Sequence, residues 1–434
     1  MPENVQWVRP KALGGIVRFA VEIALGVRDD TEGTAIWQPD PDGALWDTKG
    51  LWSGLVPSWV DITPRVLELE TNRGRDRWEQ QFRVGRCSVL ADNQDGVFNV
   101  DTPIGVLELR PGRWLRVLGQ RTDDGSPWVP LWTGQIDAFQ DQYAESATGI
   151  NSRIISLDFG ARFQIDDPPA LETPIPAGQV TSDRVSLLLD EAGWPDEAFW
   201  RDIDTGGNTM AESTLPQSRW AEMQNAATAE GGAMFISGSG LPTFRNKDWL
   251  DDKIAGPVKF TVGQVASNVQ ILRAVTDWSQ QRVYNDVRLA RKDGGEIRLT
   301  DDDSRALYGP RTYARNDIQC QTDGQLDEIA ARILGANRFD RARLEELELV
   351  PTSPQGVTDL LGLDLGDKLQ VEVRTLGEGQ WSYAAEYLVN KIDHVVTASD
   401  WTTTIRVDLA DFTSPLLPAA FTTAFTEEFD AEDV

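Results

Sequence analysis

Apolar and polar positions alternate with a period of two through much of this chain. Val17, Phe19, Val21, Ile23 and Leu25 alternate with Arg18, Ala20, Glu22 and Ala24, which predicts a strand with one buried face. Leu67 and Leu69 alternate with Glu68 and Glu70, and Leu369, Val371 and Val373 with Lys368, Gln370, Glu372 and Arg374. Both read as half-buried antiparallel strands. Turn clusters such as Asp123-Asp124-Gly125-Ser126-Pro127 and Asp293-Gly294-Gly295 separate the strand groups, as in barrels and sandwiches.

One strand pattern occurs twice, about 250 residues apart. The first copy runs Pro111-Gly112-Arg113-Trp114-Leu115-Arg116-Val117, then Trp132 to Ile136-Asp137, then Ile155-Ser156-Leu157-Asp158. The second runs Leu365-Gly366-Asp367-Lys368-Leu369-Gln370-Val371, then Tyr387 to Ile392-Asp393, then Ile405 to Leu409. In each, a turn glycine opens an alternating strand, a strand with an aromatic start and an Ile-Asp end follows, and a third strand closes the set. Two similar β-modules in one chain point to internal duplication and to assembly rather than catalysis.

The period changes between the modules. Asp166-Asp167-Pro168-Pro169, continuing to Gly178, reads as a linker. Beyond it Thr181 or Ser182 is expected to cap a helix carrying Val185, Leu188 and Leu189, and a second helix is expected over Gln217 to Glu230. Ala233 to Ile236 and Pro242 to Arg245 then form a hairpin. Leu326, Ile329, Ile333 and Leu334 predict a further helix, expected to pack on the second β-module. The expected organisation is a first β-barrel over 1–165 with a Trp-rich loop at 29–59, a small α+β domain over 166–260, a second barrel over 261–412 with the helix near 326–339 packed on it, and an acidic tail over 413–434. The fold class is mainly β with an α+β insertion.

Composition narrows the function. The chain has 434 residues, enough for two to four domains, and a formal net charge of −28 from 69 acidic against 41 basic residues. No Lys/Arg-rich run interrupts the acidity, so a phosphate-binding face for nucleic acid is not expected. No apolar run approaches the roughly 20 residues that cross a bilayer, and Met1 to Val8 carry no secretory pattern, so synthesis in a cytoplasm is expected. Cys87 and Cys320 have no C-x-x-C partner and are expected as free thiols. The single histidine, His394, lies in a strand without a nucleophile motif and reads as structural. Ala91 to Gly96 resembles a calcium loop but has Ala91 and Thr102 where ligating carboxylates belong, and Asp301-Asp302-Asp303 reads as an exposed loop. No catalytic, metal or cofactor site is expected. Candidate partner-docking residues are Trp37, Trp46 and Trp52 in the Trp-rich segment, and Phe421, Phe425 and Phe429 at i, i+4, i+8 in the acidic tail.

Several motifs in order carry a family resemblance. Trp59-Val60-Asp61-Ile62-Thr63-Pro64-Arg65-Val66, Gly74-Arg75, Ala91 to Asn99 and Leu109-Arg110-Pro111-Gly112 resemble the N-terminal signature of minor tail proteins, or tail hub (baseplate hub) proteins, of long-tailed, siphovirus-type bacteriophages. Tyr284-Asn285-Asp286-Val287, Asp303-Ser304, Tyr308-Gly309-Pro310-Arg311 and Gly362 to Asp367 are similar to motifs of that family's second half. The resemblance spans Trp59 to Leu409 and implies two tail-tube-like β-barrels per chain, a homotrimer with a pseudo-sixfold ring, and a place at the tail tip of the virion. It further implies the distal tail protein, the tape-measure protein and tip or fibre proteins as partners, with DNA only as passing cargo. The alternatives are a sixfold distal tail protein and a tail-borne carbohydrate-binding or glycosidase protein.

Overall fold

The computed structural model describes residues 16–24, 59–98, 111–143, 150–165, 174–196, 200–213, 218–264, 267–277, 282–292, 294–339, 343–374 and 382–410. The first seven strands are β1 (Val17–Ala24), β2 (Trp59–Asp61), β3 (Val66–Gly74), β4 (Arg83–Asp92), β5 (Trp114–Arg121), β6 (Val129–Tyr143) and β7 (Ile150–Leu157). They lie in the order β3-β4-β7-β6-β5-β1-β2. A single 3-10 turn, Thr63–Arg65, carries β2 directly into β3, so the chain brings the two ends of that order together as an open ring, with no hydrogen-bonded pairing of β2 with β3 among the described residues. Two hydrogen bonds pin the bend: Ile62 N–H donates to the Val21 carbonyl, and Val21 N–H to Thr63 Oγ1. β1 is covered more fully than its alternation predicts, because Ala20 and Ala24 are as buried as Phe19 and Ile23. Ala24 faces a second core.

The chain then leaves the sheet through α1 (Phe159–Ile165), α2 (Thr181–Glu191), β8 (Asp202–Ile203), α3 (Arg219–Glu230), β9 (Ala233–Ile236), β10 (Pro242–Arg245) and α4 (Asp248–Ala255). β9 and β10 form the expected hairpin, with β8 parallel on the far side of β10. Ser218 caps α3 by accepting from Ala221 N–H. The expected cap of α2 is different: Val180 is the N-cap and makes no side-chain bond. Thr181 lies inside the helix because its hydroxyl is committed to Glu230, 2.6 Å away.

β11 (Phe260–Gly263) and β12 (Val269–Asp277) begin a second barrel, and the chain departs again. It forms β13 (Asp286–Arg291), β14 (Glu296–Thr300), α5 (Asp302–Tyr308), β15 (Thr312–Ile318) and α6 (Asp323–Asn337) before returning as β16 (Arg343–Pro351), α7 (Pro354–Leu361), β17 (Lys368–Arg374), β18 (Ser382–Thr397) and β19 (Trp401–Leu409). The order β17-β11-β12-β16-β19-β18 closes through a β17–β18 pairing into a six-stranded barrel. β18 also pairs with β3, so both rings belong to one 13-stranded sheet.

The segment between β12 and β16 does not stay with the second barrel, contrary to the expectation for 261–412. Its strands form a separate sheet, β14-β13-β15, and α6 buries Leu326, Ala330 and Ile333 beside Val287 and Leu289 of that sheet and Val185, Leu188 and Met223 of α2 and α3. Helical spacing predicts that a face is buried but not against what. Here two excursions, one after each ring has begun or ended, combine into a second core, while the first core runs through both rings from Leu69, Val89 and Trp132 to Leu347, Tyr387 and Ile405. The fold is mainly β, with a closed barrel and seven helices among the described residues.

Candidate assembly surfaces

The two rings repeat one another in backbone detail. Gly112 and Gly366 both have positive φ, 89° and 79°, a conformation glycine adopts without steric cost. Gly112 N–H donates to the Ile136 carbonyl at 2.7 Å and Ile136 N–H to the Arg113 carbonyl at 2.7 Å. Gly366 N–H donates to the Val389 carbonyl at 2.7 Å and Val389 N–H to the Asp367 carbonyl at 3.0 Å. A bulge follows each exchange, between Ile136 and Ala138 on β6 and between Val389 and Lys391 on β18. Ile136 therefore matches Val389, not Ile392 as the Ile-Asp reading has it. The shared feature is the unpaired bulge residue, Asp137 or Asn390, and the side chain there is free to differ: Asp137 is exposed, whereas Asn390 is buried and donates to Asp408 at 2.8 Å.

The rings meet along β3 and the outer half of β18, in antiparallel register from Lys391↔Gly74 to Thr397↔Glu68. Gly74 sits at φ 127°, and a Cβ there would lie 2.3 Å from the Asn390 carbonyl oxygen. Arg75 N–H donates to that same oxygen at 2.9 Å. Arg73 is buried at the junction and pairs with Asp364 at 2.6 Å. His394, opposite Thr71, is buried with Nδ1 3.0 Å from Thr403 Oγ1, and burial pushes its pKa down to about 3. It is a neutral structural residue at any physiological pH. Phe19 and Trp401 stack edge to face at 5.2 Å across the shared core.

Among the described residues three large apolar side chains stand out of the surface: Leu67 (44% exposed), Leu272 (55%) and Leu307 (68%). Leu67 was expected to share the buried face with Leu69. A register shift between Val66 and Glu68 turns it outward and leaves Leu69 buried. Leu272 occupies the matching bulge on β12, between Ile271 and Arg273. Alternation alone gives no sign of a bulge, so sequence reasoning missed this pair. Trp37, Trp46, Trp52, Phe421, Phe425 and Phe429 lie outside the described residues. Trp59, the last of the Trp-rich segment, lies in β2 under the Arg116 guanidinium, 4.0 Å from the ring centroid.

A cavity of about 110 Å³ lies where the 75–82 loop meets α3, α4, α6 and the β13-β15 sheet. Its wall includes Glu230, which accepts from Thr181 Oγ1 and from the backbone N–H groups of Gly207 and Asn208. That carboxylate ties the 204–208 segment to α3. Cys87 and Cys320 are free and buried, and burial pushes the Cys320 thiol up to about 11. Among the described residues no three His, Cys, Asp or Glu side chains gather in a metal-binding group, and no helix is long and apolar enough to cross a membrane.

Solved structures share this arrangement of strands and helices, two of them tail proteins. A 43 kDa tail protein of prophage MuSo2 from Shewanella oneidensis superposes with a TM-score of 0.55 at 12% identity, covering 82% of this chain and 97% of that one. The tail protein from Neisseria meningitidis MC58 gives a TM-score of 0.56 at 13% identity, covering 92% and 98%. The chain has the fold of phage tail proteins. No protein-family model matches the sequence, and no curated protein matches it either. The likeness lies in backbone geometry, where the repeated rings and their junction also lie.

Proposed function

We propose that this chain is a structural, non-enzymatic protein of a phage tail, and that it acts as the hub at the tail tip. Three copies would place six rings around one axis, joining a sixfold distal tail ring to threefold tip or fibre proteins. The observation that carries the reading is the pair of backbone-equivalent rings joined side by side by β3 and β18. A distal tail protein that forms a sixfold ring needs only one ring per chain, so the second ring favours the hub. The net charge of −28 suits a channel through which DNA and the tape-measure protein pass, since like charge avoids the phosphate contacts that cause sticking.

Electron microscopy of the purified protein, with its mass in solution, tests this. Threefold particles with six lobes around a hole are expected. Sixfold rings with one lobe per chain would transfer the chain to the distal-tail role. Release of sugar from host wall polymer by the purified protein would overturn the non-enzymatic reading.

A further inference from the structure

Each ring offers the same two edge segments, and the chain itself uses only one of each. β3 of the first ring takes the outer half of β18 of the second. The unused counterparts are β12, which matches β3, and the outer half of β6, which matches that of β18. The match is residue by residue. Val66 faces Ala91 and Glu68 faces Leu90, just as Ile271 faces Leu349 and Arg273 faces Glu348, with Leu67 and Leu272 bulged between. On the other strand Ala138 faces Ile155 as Lys391 faces Arg406. Among the described residues, β6 beyond Ile136 pairs with β7 on one side only, and β12 beyond Gln270 with β16 on one side only.

We infer that β12 of one copy adds to β6 of the next as an antiparallel strand, in the register of the internal β3–β18 junction. The inference rests on the ring reading and gives it its contact. Within the chain His394 pairs with Thr71 and Val395 with Glu70; between copies Asp141 takes Thr276 and Gln142 takes Val275. Neither outer segment carries the proline or lysine that proteins use to protect an exposed edge. In this register Gln140 faces Asp277, and Arg273, already paired with Glu346 at 2.5 Å and Glu348 at 3.4 Å in its own chain, lies beyond the end of β6, so the contact rests on the open backbone edges rather than on charge. The contact joins unlike surfaces, so it repeats head to tail and closes after three copies if each ring turns by a sixth of a circle.

The test mixes full-length Asp141→Cys protein with Thr276→Cys protein carrying a different tag, and oxidises the mixture. A second mixture pairs Gln142→Cys with Val275→Cys, because adjacent antiparallel pairs alternate between two Cα spacings, both compatible with a disulfide to different degrees. The native cysteines are buried and do not compete. Covalent dimers between tags are expected in at least one mixture. None is expected for Asp141→Cys with Leu272→Cys, which lies four residues or about 13 Å out of register. A trimer by mass in which neither mixture cross-links overturns the edge pairing and leaves the ring reading standing. A protein that stays monomeric and uncross-linked overturns the pairing as well, and the ring reading is then tested separately by imaging assembled tails.

Discussion

Asp286 lies buried between two half-exposed guanidinium groups, with Arg298 at 2.8 Å and Arg288 at 3.0 Å. The hydrogen bonds from Arg298 and then Arg288 hold its carboxyl far below its ordinary value. A depressed carboxylate contributes stability that is complete above its unfolded pKa of 3.8 and is lost as pH falls through the folded value. Asp286→Asn should therefore cost about 1–3 kcal/mol at pH 7 and should lose less stability than the parent between pH 4 and pH 2. Urea unfolding at several pH values checks both the size and the sign. Gly74 offers a second single-residue test, because an added methyl meets both a left-handed φ and the Asn390 carbonyl. Gly74→Ala should cost about 3 kcal/mol or more, against roughly 1 kcal/mol for Gly112→Ala, which has strain but open space; thermal melting separates the two. At this scale the role of His394 was legible, since a lone histidine on a strand has few partners to act with. Leu67 was not legible, because a bulge is set by the partner strand rather than by the residue that protrudes.

α6 shows what an element reveals about itself. Thr322 and Gln325 form a reciprocal capping box, and Leu326, Ala330 and Ile333 line one face, so its start and its buried side follow from local chemistry. Its neighbours do not. It packs on β13, β14 and α3 because those surfaces are apolar and within reach once the chain has left β12, and the same face would have served a barrel wall equally well. Leu326→Ala should cost about 2–5 kcal/mol, as expected for a fully buried leucine. Because Val185, Met223 and Val287 share its core, proteolysis should open the 174–255 and 282–338 excursions together, and cleavage of one alone would show that they do not form a common core. The repeated strands behave in the same way. Their alternation identifies β5 to β7 and β17 to β19 as one motif, but the shared Ile-Asp ending aligns Ile136 with Ile392, and only the hydrogen bonds of Gly112 and Gly366 correct the register by three residues.

For the whole molecule, the sequence by itself determined the material: period-two strands, a duplicated motif, helical excursions between them and an acidic balance with no Lys/Arg-rich run. These are local or additive properties, carried by each segment before it meets another. The tertiary structure decided which strands became neighbours: that β2 turns through Thr63–Arg65 to bring the ends of the first, open ring together, that β17 closes the other on β18, and that β3 joins the two. Among the described residues it also decided which edges stay open and which leucines protrude. Strand pairing joins residues hundreds of positions apart through backbone groups that every residue carries, so the side-chain pattern marks a strand's buried face while leaving its partner to be settled by the packing of the whole.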